Sequence, residues 1–172
     1  PRMFIVPKSD VTMIDRWQVN GLRGTASFSF EANDVFVSES HTYLESDAPR
    51  EKSAIYTIPK IPLFAVGFAT ISLALARACL DDATELARQK TQRMVAAAMV
   101  DRSTVHQQIG ETEAKLRSAD AFVRNAAKTL WDSTCESGVV DMDQRIEVRM
   151  ASTYAIRQAV EVVDIAYEMF GA

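Results

Sequence analysis

From about Ile58 onward, apolar residues return every three or four positions to the end of the chain; almost nothing before that point does so. This periodicity marks helices that each bury one face. Leu73, Ala76, Leu80, Ala83 and Ala87 form one stripe of a helix predicted over Ile61–Met99, loosening after Lys90. Small residues crowd its first half (Ala65, Gly67, Ala69, Ser72, Ala74, Ala76, Ala78), which lets neighbours approach closely. Pro59 and Pro62 suit its first turn, where a missing N–H costs little.

A second helix is predicted to start between Asp101 and Thr104, with Asp101 or Ser103 as cap. Its stripe is Val105, Ile109, Leu116, Ala119, Val123, Ala126 and Leu130, and it ends near Ser137, with Gly138 as a C-terminal stop. The third begins at Asp141, whose spacing to Gln144 fits a capping box. Ile146, Met150, Tyr154, Val160, Val163, Tyr167 and Phe170 are predicted as its buried face. Helices of about 30 residues are roughly 45 Å long. Short connections between them predict an up-down bundle.

The opening part reads differently. Met3–Val6 and Trp17–Val19 suggest short strands, separated by Pro7, Ser9 and Asp10. Asn20-Gly21 is a turn signal, because both residues tolerate positive φ. Phe28, Phe30, Val35 and Val37 alternate in part, with Asn33-Asp34 as a second turn or bulge. Residues 38–60 are polar and mixed and read as a linker or surface loop. The fold class is therefore α+β, mostly α. Three or four short strands bury too little to stand alone. The chain also starts in strand-like sequence and stops without a fourth helix, so both ends are expected to be cuts through a longer protein.

Composition excludes several functions. A net charge of −4 argues against nucleic acid as the main partner. Cys79 and Cys135, far apart within helical patterns, are expected to be buried, reduced thiols, and with two histidines, His41 and His106, no metal site is predicted. The apolar run Ile61–Ala76 is broken by Pro62, Gly67, Thr70 and Ser72, so a bundle helix is expected rather than a membrane span, in a cytoplasmic protein. No signal peptide, phosphate loop, nucleophile elbow or dinucleotide fingerprint is present. Asp81-Asp82 and the group Glu111, Glu113, Lys115, Arg117 read as solvated faces. His106 reads as a cap or packing residue, and Trp17 and Trp131 as packing residues. Arg88, Lys90 and Arg93 follow Glu85 at the far end of the first helix. There they complement the helix dipole or hold an anionic group.

The stretch Asp15-Arg16-Trp17-Gln18-Val19-Asn20-Gly21-Leu22-Arg23-Gly24-Thr25-Ala26-Ser27, followed by Asp34-Val35-Phe36-Val37, resembles the end of the middle β-domain of the acyl-CoA dehydrogenase superfamily. The family pattern is roughly D-x-W-x-V-x-G-L-R-G-T-G-S, then D-V-F-V-P. This chain has Ala26 for the pattern's last Gly and Ser38 for its Pro. The helices that follow, through Met169-Phe170-Gly171-Ala172, resemble the family's C-terminal domain. The resemblance implies the end of a β-barrel-like middle domain over residues 1–48, a linker over 49–60, and a helical bundle domain over 61–172.

Within the superfamily, Leu22-Arg23-Gly24-Thr25 and the helices are similar to the flavin-dependent monooxygenase branch. That implies an enzyme that hydroxylates an aromatic or heteroatom substrate with reduced flavin, FMN or FAD, supplied by a separate flavin reductase. The dehydrogenase alternative needs a glutamate base. One of the family's positions for it falls near Phe64, which carries no carboxylate, and the other lies beyond Ala172. No catalytic residue is therefore assigned. The family's phosphate contact falls on Arg88 or Lys90, and its close glycine approach to a neighbouring subunit's flavin falls on Gly171 and Ala172. A homotetramer is implied as well. A helical interaction module without catalysis is the reading from another class.

Overall fold

The computed structural model describes residues 1–90 and 99–170, with the side chain of Phe170 left aside. The chain divides into two compact units, Pro1–Arg50 and Glu51–Ala172.

The first unit holds four short strands: β1 (Arg2–Phe4), β2 (Thr12–Ile14), β3 (Ser29–Glu31) and β4 (Thr42–Leu44). They form two separate antiparallel pairs. Met3 faces Tyr43 in one, and Met13 faces Phe30 in the other. Two expectations fail here. Trp17–Val19 is not a strand, because the Trp17 indole N–H turns to the Leu22 carbonyl (2.9 Å) and Arg23 Nε to the Val19 carbonyl (3.0 Å). Conversely, β4 lies in the polar stretch expected to be loop. Its polarity hides the pairing: the Arg2 guanidinium donates to Thr42 Oγ1 across the pair (2.8 Å).

The turn also moves. Neither Asn20 nor Gly21 has positive φ; Leu22 (54°), Ala26 (46°) and Asp34 (52°) do. Asp34 thus fulfils the second turn signal. At Ala26 the left-handed backbone explains why the family pattern has glycine there. A Cβ in that region costs about 1–2 kcal/mol, of which glycine's extra chain entropy returns part. Ala26→Gly is therefore expected to stabilise the first unit by about 0.5–1 kcal/mol. The check is the urea midpoint of the intact protein; a lowered midpoint would contradict the assignment of strain.

The second unit is built on α1 (Lys60–Gln89), α2 (Ser103–Ser137) and α3 (Met142–Phe170). Pro59 precedes α1 and Pro62 sits in its first turn, where the backbone donors have no helical acceptor. The helix ends at Gln89, where loosening after Lys90 is predicted, and residues 91–98 lie outside the described residues. Lys90 is extended (φ −85°, ψ 127°), and its N–H closes the last turn on the Leu86 carbonyl (2.9 Å). Beyond it, Ala87, Met99 and Val105 gather in a satellite core.

Met99–Asp101 forms a 3₁₀ turn, and Arg102, neither Asp101 nor Ser103, occupies the cap position of α2 without a side-chain cap bond. Gly138 ends α2 as predicted, at φ 69° with its N–H on the Thr134 carbonyl (2.9 Å). Half of the capping box also holds: Gln144 Oε1 accepts from the Asp141 N–H at 3.3 Å.

Leu73, Ala76, Leu80, Ala83 and Ala87 of α1 are all buried, as are six of the seven residues expected on α2, with Ile109 half-buried. On α3 the expectation is largely inverted: Val163 packs half-buried against the core as expected, and the side chain of Phe170 lies outside the described residues. Ile146, Met150, Tyr154, Val160 and Tyr167 are exposed, while Val148, Ala151, Ala155, Ala159, Val162 and Ala166 are buried. The buried set also follows three- and four-residue steps, but it is made of small side chains. Alanines at 0% exposure on both helices, Ala69 and Ala76 of α1 with Ala151 and Ala155 of α3, let the two backbones approach closely. α3 packs on both other helices, and α1 and α2 touch each other less.

The thiols are also corrected. Both cysteines are free, but Cys79 is half-buried and Cys135 exposed. Trp131 is likewise partly exposed rather than packed. α1 is long and apolar enough to cross a membrane by length and composition. Its inner stripe, however, is occupied by the bundle core.

Candidate functional site

α1 and α3 end side by side. Cys79, Asp82, Ala83 and Leu86 of α1 line one open groove of about 350 Å³ with Val163, Ala166 and Tyr167 of α3. Arg88 and Lys90 follow directly at this end of the bundle, and Phe170 is the last described residue of α3 beside it. Arg93, Gly171 and Ala172 lie outside the described residues.

Arg88 stands in the last turn of α1, where its charge complements the partial negative charge of the free carbonyls. Its Nη1 donates to Glu85 Oε2 at 3.1 Å, one turn back on the same helix. Gln89 Nε2 donates to the other oxygen of Glu85 at 2.8 Å. These two bonds, Gln89 first and Arg88 second, hold the Glu85 carboxyl below its ordinary value. Only one guanidinium nitrogen of Arg88 is engaged by Glu85, and the side chain is largely exposed. Its remaining donors form a planar fork suited to a phosphate. The donor set therefore fits the phosphate of a flavin, and the groove beside it is open to solvent.

The expected solvated face of α2 does more than meet solvent. Glu113 accepts from Arg77 Nη1 of α1 (2.7 Å) and from Arg117 Nε (2.5 Å), and Arg77 also reaches Asp81 (3.3 Å). The Arg77 hydrogen bond is the main cause holding the Glu113 carboxyl below its ordinary value. A depressed carboxylate contributes stability above its unfolded value and loses it as pH falls through the lowered one. The α1–α2 tie is thus intact at neutral pH and fails only in acid. Lys115 of α2 ties to Glu161 of α3 at 2.6 Å. These ion pairs were invisible in the sequence because their partners lie 36 and 46 residues apart.

Asp82 lines the groove described above and is exposed, with no second carboxylate assigned to an acid/base role. His106 is exposed, its backbone N–H closing the first turn of α2 on the Arg102 carbonyl (3.1 Å). In the first unit, His41 Nδ1 lies 2.8 Å from Ser38 Oγ and 3.2 Å from Ser40 Oγ, a cluster that tightens one 3₁₀ turn. Among the described residues these serines are the side-chain partners of that ring, which makes a local turn contact rather than a nucleophile–base relay. Among the described residues no group of three His, Cys, Asp or Glu side chains is placed to hold a metal.

A family model described as "Acyl-CoA dehydrogenase, C-terminal domain" matches residues 66–172. Indole-3-acetate monooxygenase of Pseudomonas putida is 29% identical over 171 residues, which is 99% of this chain and 44% of that protein. This chain therefore spans less than half the length of that relative. Among solved structures, XiaF from Streptomyces sp. in complex with FADH2 and glycerol superposes with a TM-score of 0.87 at 22% identity, over 99% of this chain and 45% of that one. TdsC from Paenibacillus sp. A11-2 with FMN and indole gives 0.76 at 24% identity, over 99% and 46%.

Proposed function

This chain belongs to the acyl-CoA dehydrogenase family, and on that basis we propose that it is part of a flavin-dependent monooxygenase. The enzyme hydroxylates an aromatic or heteroatom-containing small molecule, using reduced flavin, FMN or FAD, delivered by a separate flavin reductase. One observation carries this reading. The similarity to an indole-3-acetate monooxygenase runs through both units, over 171 of 172 residues, and is not confined to the helices.

Two features of the chain support it. Phe64, where a dehydrogenase base would stand in one part of the family, is an exposed aromatic on α1, and no carboxylate takes its place. Arg88 and Lys90, at the end of α1, are the groups that would meet the flavin phosphate. When bound, the flavin supplies the electrons and activates the oxygen. The protein's share is to hold the substrate beside it and to keep water out. Both require surfaces from the rest of the full-length protein. The reading includes a cytoplasmic enzyme that self-associates through its helical domain as a homotetramer.

The test uses the full-length protein with a flavin reductase, NADH and small indolic or phenolic substrates under ¹⁸O₂. One labelled oxygen atom in the product, absent when the reductase is left out, is the expected result. Anaerobic bleaching of bound flavin by an acyl-CoA, with no oxygenated product, would replace this reading with the dehydrogenase.

A further inference from the structure

We draw no further inference here: the strongest candidate, the exposed apolar row Ile61, Phe64, Phe68, Ile71 and Leu75 along the outer side of α1, carries nothing, because this chain spans less than half the length of its relatives and nothing in the structure shows what covers that row.

Discussion

Leu80→Ala is expected to lower the stability of the helical unit by about 3 kcal/mol. Leu80 is 1% exposed and is among the largest fully buried side chains. It sits in one core cluster with Leu73 and Ala76 of its own helix, Leu116 and Val123 of α2, and Val148 and Ala155 of α3. The loss has two parts: the transfer energy of the removed carbons and the cavity left behind. The second part is large here. Alanines already hold the helices close, so there is little long side chain nearby to swing into the gap. Urea unfolding with tryptophan fluorescence is the measurement, and a lowered midpoint at unchanged slope is the expected form. Leu80→Met, which conserves volume, should cost less than about 1.5 kcal/mol. Equal midpoints for Leu80→Ala and the parent would mean that α1 does not present this face to the core.

This face of α1 was legible in the sequence, and the face of α3 was not. The difference is physical. On α1 the leucines that mark the stripe are the residues that bury, so size and periodicity point the same way. On α3 they disagree: size selects Ile146, Met150, Tyr154 and Tyr167, while packing selects the alanines. A rule that large apolar residues go inside assumes the helix has one buried side. α3 carries two apolar rows, and only the small one fits against α1.

The ends of the helices show a similar split. Gly138 and the Asp141–Gln144 box act within one turn and could be read locally. The loosening after Lys90 was legible too, but the packing of Met99 with Ala87 beyond it has no local signal. The candidate site was half legible. Arg88 stands where its position in the last turn predicted, yet the periodicity says nothing about a phosphate. That meaning came only from the resemblance of the Trp17–Ser27 stretch to a family, and the family model then matched the helices. In that stretch itself the glycine signal pointed at Gly21, while the strained turn lies at Leu22 and Ala26.

Ala155→Leu is the substitution that decides which side of α3 faces the core, and it is expected to cost about 2–3 kcal/mol. Ala155 is fully buried, in the cluster that also holds Ala76 and Leu80 of α1. Three added heavy atoms there must push α1 and α3 apart or twist neighbouring side chains off their rotamers, and a close-packed alanine contact has no slack for either. Met150→Ala makes the comparison. Met150 is 55% exposed, on the outer row of the same helix. Its truncation should change the unfolding free energy by less than about 0.5 kcal/mol, because surface substitutions away from the core rarely do more. If α3 instead buried its large residues, the order would reverse: Ala155→Leu would be tolerated and Met150→Ala would carry the core penalty of 2–5 kcal/mol. Unfolding midpoints of the two variants, each compared with the parent, separate these outcomes.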